Sequence, residues 1–191
     1  MHDPSLRKWK QLAAATCGAL CLMALSGCWD VGKEAVITWN AADPIPYAGT
    51  QYVTPDGDTY TWAQTGTSHD YRYTETDKNG QSVETGQLRV MNIRDNIYAV
   101  QMKSDSDDTY NVELFAISSS GITKMQVSAS DDAAANSIAR QNGIGNVDTV
   151  GAAAAGQQMN DVLTADQLTG TPDQILGFLR GLSAVHFEPA S

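Results

Sequence analysis

Between Ala35 and Ser128 the apolar positions recur every second residue. Val36, Ile37 and Trp39 open the run. Tyr60 and Trp62 follow, then Tyr71 and Tyr73, then Leu88 and Val90. Tyr98, Val100 and Met102 alternate with Ala99, Gln101 and Lys103, and Tyr110, Val112, Leu114 and Ala116 alternate with Asn111, Glu113 and Phe115. Met125 and Val127 close the series. Side chains on a strand point alternately to the two faces, so this pattern predicts strands with one buried face.

The gaps between these runs are short and polar: Pro55 to Asp58, Asp77 to Gly80, Arg94 to Asn96, Ser104 to Asp108, and Ser118 to Gly121. Asn79-Gly80 supplies the positive φ of a tight turn. Short connections impose antiparallel neighbours. The prediction is an antiparallel β-meander of about seven or eight strands, twisted and curled toward a barrel. Gly86, inside the Val83–Ile93 run, marks a bulge or a break.

After Ser128 the period changes. Ser130-Asp131-Asp132 precedes a short helix over 133–140, with Gly143 beyond its end. The Ala/Gly-rich stretch 143–156 reads as a linker or weakly ordered loop. Thr164-Ala165-Asp166-Gln167 and Thr171-Pro172-Asp173-Gln174 both have the capping-box pattern, the second with Pro at the first helical position. The helix after Pro172 places Ile175, Leu176, Leu179 and Leu182 on one stripe with Phe178 beside it, a surface for covering an apolar face or open end of the sheet. The fold class is α+β: a meander over 35–128, then a helical part over 129–191, in a single domain.

The first 27 residues follow another logic. Arg7, Lys8 and Lys10 form a positive region. The apolar stretch 12–25 is shorter than the roughly 20 residues of a membrane span. Leu25-Ser26-Gly27-Cys28 comes next. Small residues before a cleavage point suit an exported precursor. The tetrapeptide resembles the lipobox of bacterial lipoproteins, and the resemblance is confined to residues 1–28. It implies a signal peptide over 1–27, transfer of diacylglycerol to the Cys28 thiol, cleavage before Cys28 and acylation of the new amino terminus, palmitate being a typical acyl group. Cys28 is then the lipid-attachment site and the bilayer is the first partner. Residues 28–34 form a short tether, reaching at most about 25 Å when extended, and Trp29 is placed for the membrane interface, where Trp is common. In enterobacterial lipoproteins Asp directly after the acylated Cys favours retention in the inner membrane. Here Trp29 holds that place and Asp30 follows, which leaves both the cell membrane and the outer membrane open, with the domain on the periplasmic or exterior side.

Charge and cysteine counts change with cleavage. The whole chain of 191 residues carries 12 Lys+Arg against 22 Asp+Glu, a formal net charge of −10. Residues 1–27 contain three basic residues and one acid, so residues 28–191 hold nine basic and 21 acidic residues, a net of −12. Such a balance speaks against nucleic acid as a partner, because phosphate contacts need clustered Lys and Arg. Cys17 and Cys21 leave with the signal peptide and Cys28 is alkylated. No thiol then remains for a disulfide, thiolate catalysis or a Cys-based metal site.

No catalytic set emerges. His69 lies in a turn beside Asp70, and His186 lies in the tail. Neither has a nucleophile in sequence reach, and no Gly-x-Ser-x-Gly is present. The acidic turns at 56–58 and 105–108 lack the spacing of a calcium loop, and the histidines lack zinc spacing. No metal or cofactor is expected. The aromatics Trp39, Tyr47, Tyr52, Tyr60, Trp62, Tyr71 and Tyr73 crowd the first third of the mature chain 28–191. Tyr60, Trp62, Tyr71 and Tyr73 form either a cross-strand ladder within the core or, if exposed, a binding face for a sugar, peptide or protein. The expectation is a membrane-anchored cell-envelope lipoprotein acting as a non-enzymatic interaction or assembly module with an envelope protein partner. The alternative is a binder of a small apolar ligand or glycan, using a sheet cavity or that aromatic face.

Overall fold

A computed structural model describes residues 28–47, 51–66, 69–144 and 167–190. Residues 1–27, read above as a signal peptide, most of the Ala/Gly-rich stretch and all of the Thr164 capping pattern except Gln167 fall outside the described residues. Nine strands are described: β1 (Trp29–Gly32), β2 (Gln51–Val53), β3 (Thr59–Gln64), β4 (Tyr71–Thr76), β5 (Ser82–Arg94), β6 (Ile97–Ser104), β7 (Tyr110–Ser118), β8 (Gly121–Val127) and β9 (Phe187–Pro189). The two helices are α1 (Asp132–Gln141) and α2 (Pro172–Gly181).

Strands β2 to β8 pair in sequence order, all antiparallel, with β9 added beside β8. This is the predicted meander, now with an added strand at each end of the chain. The sheet curls far enough to bring Tyr52 of β2 against Phe115 of β7, with ring centroids 5.2 Å apart. The result is a half-barrel with two cores. Trp62, Tyr71, Tyr73, Leu88, Val90, Tyr98, Val100, Phe115 and Ile117 fill its concave interior. On the outer face, Met91, Ile93, Ala99, Val112 and Leu114 pack with Trp29, Ile37, Ile175, Phe178, Leu179 and Leu182.

Helix α2 forms where its caps predict. The Thr171 hydroxyl accepts from the Gln174 backbone N–H, and the Gln174 side chain accepts from the Thr171 N–H. Phe178, rather than Leu176, is the centre of its buried face. The α2 stripe closes the outer face of the sheet, which is why both faces of β6 and β7 are buried.

Three local expectations need correction. The first strand does not begin near Ala35. Strand β1 starts at Trp29 and pairs antiparallel with β7, Trp29 opposite Val112. Residues 29–32 are therefore part of the sheet rather than a free tether, because Trp29 and Val31 have the outer core to enter. The Val36–Trp39 run is not a strand either. Val36 and Ile37 donate their backbone N–H groups to the Gln101 side-chain oxygen at 2.6 and 2.8 Å, and Trp39–Ala41 is a 3₁₀ turn. Gly86 is neither a bulge nor a break. β5 runs through it, and a Cβ there would overlap the Lys103 carbonyl oxygen and the Tyr73 ring. The glycine makes room for an aromatic side chain crossing from β4.

Candidate functional site

Cys28 sits one residue before β1. With Trp29 opposite Val112, the next step of the ladder brings Cys28 beside Glu113. Burial, then the charge of Glu113 and a hydrogen bond to it, hold the thiol well above its ordinary range, with Lys124 opposing them. The Lys124 ammonium lies 3.1 Å from the Glu113 carboxylate, both side chains mostly buried. A thiol so placed stays protonated at neutral pH and is a poor nucleophile. Its neighbour Trp29 is fully buried, its ring edge-on to Phe178 with centroids 5.7 Å apart. The Asp30 carbonyl accepts the Leu168 N–H at 2.9 Å, tying β1 to the segment that leads into α2. Trp29 is thus a core residue, not an interfacial one.

The four aromatics divide. Trp62, Tyr71 and Tyr73 are buried, while Tyr60 is half-buried. Trp62 stands opposite Tyr73 across β3 and β4, Tyr60 faces Glu75, and Tyr71 faces Gln64. The ladder is therefore one direct aromatic pair inside the core, not an exposed platform of four rings. Trp62 meets Phe115 edge-on at 5.6 Å, and its indole N–H has no partner among the described residues. The Tyr71 hydroxyl accepts the Ile45 N–H at 2.8 Å.

Tyr60 and Tyr73 reach the polar end of the half-barrel. Their rings lie 6.0 Å apart. The Tyr73 hydroxyl donates to Glu84 at 2.6 Å. Burial, and then the nearby carboxylates Glu75 for Tyr60 and Glu84 for Tyr73, push both phenols far above their ordinary range. Burial likewise raises Glu75, with the Tyr60 hydrogen bond acting against it. These tyrosines, with Glu84, Met102, Ser104, Ser106, Asp107, Asn111 and Glu113, line an open cavity of about 260 Å³.

A second concavity of about 250 Å³ crosses the outer face of β4–β7. Arg72, Gln87, Arg89, Gln101 and Tyr110 line it, with Thr65 and Asp70 at one end. Arg89 Nε lies 3.0 Å from Asp70, and its Nη1 donates to the Ile37 carbonyl oxygen. Arg72 pairs with Asp105, which also accepts from Thr85. These two partners hold Asp105 below the usual carboxylate range, Thr85 first.

The histidines stay apart. The His69 ring lies 5.0 Å from that of Trp39. His186 meets Asp131 through both its backbone N–H and Nδ1, at 2.6 and 2.8 Å, and that backbone bond is the larger cause of the lowered Asp131 pKa. The contact joins the start of α1 to the start of β9. Among the described residues no cluster of three metal-ligating side chains occurs, and no helix is long and apolar enough to cross a membrane.

Gln101 and the groove arginines carry no signal in the sequence, where each reads as an ordinary polar strand position. The alternation of Trp29 and Val31 about Asp30 does signal β1. A comparison with family models, curated proteins and solved structures finds no match to this chain.

Proposed function

We propose that this chain is a bacterial cell-envelope lipoprotein, anchored through acylated Cys28, whose domain is a non-enzymatic interaction or assembly module outside the cytoplasm. The observation that carries the reading is Leu25-Ser26-Gly27-Cys28 behind a charged and then apolar segment. The fold is compatible with it. Its antiparallel sheet supplies strand edges for a protein contact. Two or three acyl chains hold a protein on a bilayer almost permanently, where one does so only marginally.

Mass spectrometry of the detergent-extracted protein tests the anchor. The expected N-terminal peptide begins at Cys28 and carries thioether-linked diacylglycerol, and Cys28→Ser leaves the protein unacylated. An unmodified Cys28, or a mature N-terminus elsewhere, refutes it. Crosslinking in intact cells tests the module; recovery of no envelope protein with the lipidated form counts against an assembly role.

A second reading is supported by the cavity at the polar end of the half-barrel. Tyrosine faces beside carboxylate, amide and hydroxyl groups suit a glycan better than an apolar ligand. The concave interior carries aromatic and aliphatic side chains, among them Trp62, Tyr73, Val90 and Phe115. Binding of soluble sugars to the purified protein separates this reading from the first.

A further inference from the structure

Strands β3 to β7 turn alternate residues into the half-barrel, and at its polar end these are Tyr60, Tyr73, Glu75, Glu84, Ser104 and Asn111. Glu75 on β4 stands directly opposite Glu84 on β5. Opposite residues start about 5 Å apart, and like charges in such a pair destabilise the sheet. Each carboxylate accepts from a tyrosine, Glu75 from Tyr60 and Glu84 from Tyr73. A phenol satisfies an oxygen but brings no positive charge.

Two other carboxylates at this end are compensated. Glu113 pairs with Lys124 at 3.1 Å, and Asp107 lies beside Lys103. Glu75 and Glu84 have no ion pair among the described residues. Between these groups lies the cavity of about 260 Å³, with the Tyr60 and Tyr73 rings, 6.0 Å apart, and Met102 in its wall. The Tyr73 ring rests over Gly86, where a Cβ would overlap it, and its hydroxyl reaches Glu84 from there. The cavity thus joins uncompensated negative charge to aromatic and thioether surface. The like-charged pair costs the free sheet stability, and an entering cation offsets that cost.

We infer that the polar end of the half-barrel binds a small organic ammonium ion, seated against the Tyr60 and Tyr73 rings with Glu84 as its counter-charge. Aromatic rings attract a cation through their quadrupole, and desolvation strengthens the attraction. The ammonium N–H groups donate to carboxylate oxygen, while the carbon substituents pack against the rings and Met102. A bare calcium or magnesium ion instead takes about six or more oxygen ligands, which ring carbons and a thioether do not supply. The ion comes either from an amino sugar or from a simple amine. The first source rests on the glycan reading of this cavity and narrows it; the second stands without that reading. Neither depends on acylation of Cys28.

The test is calorimetric titration of the purified protein in a neutral detergent, with the Tyr60 and Tyr73 ring signals followed by NMR. Ionic strength is held constant with sodium chloride, at a slightly acidic pH that keeps both amines protonated. The probes are glucosamine, ethanolamine and N-acetylglucosamine, the last being a sugar of the same ring without the charge. Saturable binding of an amine is expected, with none of N-acetylglucosamine. Glucosamine alone identifies an amino sugar, and ethanolamine, alone or with glucosamine, identifies a simple amine as sufficient. Glu84→Gln keeps an acceptor for Tyr73 but loses the charge, and is expected to weaken binding by about tenfold or more. Glu75→Gln is expected to weaken binding in the same direction while raising the Tm of the free protein, because the like-charged pair is gone. The inference is overturned if neither amine moves the ring signals or if folded Glu84→Gln binds as tightly as the parent. Equal binding of N-acetylglucosamine and glucosamine also overturns it, and leaves the glycan reading standing.

Discussion

Replacing Trp29 with Ala separates a strand from a tether. Trp29 is fully buried, its ring packs edge-on against Phe178, and its backbone pairs with Val112. Truncating a buried Trp to Ala costs about 3–5 kcal/mol, including the cavity left behind. The edge-on pair with Phe178 contributes about 0.5–1.5 kcal/mol beyond area burial, and that loss falls within the same range. The loss expected is therefore about 4 kcal/mol, a large part of the 5–15 kcal/mol that typically holds a domain folded. For a domain of this size it lowers Tm by roughly 8–16 °C. Thermal and urea unfolding, followed by circular dichroism in detergent, read the change. An interfacial Trp on a flexible tether behaves differently: its loss weakens membrane partition and leaves the unfolding midpoint alone. A shift in stability below about 1 kcal/mol would place Trp29 outside the core and refute the integration of β1.

Two further substitutions probe what the sequence pattern concealed. Gln101→Leu removes the acceptor of two buried N–H groups, those of Val36 and Ile37, and is expected to cost about 2–5 kcal/mol by chemical denaturation; a cost near zero would show that the 33–41 segment finds other partners. Gly86→Ala drives a methyl group into the Lys103 carbonyl and the Tyr73 ring, and is expected to destabilise by about 1–3 kcal/mol while lowering the near-ultraviolet tyrosine signal; unchanged stability would mean that the Tyr73 ring has room to move aside.

The meander was legible because hairpin turns and period-two alternation are local signals. The Arg94–Asn96 turn forms as read, with Asp95 at positive φ. The capping box at Thr171 is equally local, and it forms. What alternation hides is a sheet buried on both faces. Phe115 occupies a position that one-sided logic assigns to solvent, yet it is buried in the concave core while Leu114 is buried in the outer one. The count of aromatics drew attention to Tyr60, Trp62, Tyr71 and Tyr73, but whether a ring is covered depends on curl, which brings β2 and β3 against β7. Gln101 was invisible for a related reason. Its role comes from a segment 64 residues earlier in the chain laid across the sheet, and nothing around residue 101 encodes that crossing. Strand β9 is similarly non-local. Three residues after a helix, ending in Pro189, suffice only because β8 offers an edge and Pro is tolerated there.

The early start of the fold bears on how an acidic domain sits on a membrane. With Cys28 acylated as proposed and β1 starting at the next residue, little flexible chain separates bilayer from sheet. Charge on the near surface then works against lipids that are often anionic, at about 1 kcal/mol per charge close to the surface. Screening limits this to groups within a Debye length of about 8 Å. Glu113 lies close to Cys28 but is paired with Lys124, and Asp30 accepts the Gly32 N–H. Even if all 12 net charges counted, the repulsion would be about 12 kcal/mol. Burying two acyl chains of about 15 methylenes each, at about 0.8 kcal/mol per methylene, gives about 24 kcal/mol. Insertion therefore wins without help from charge.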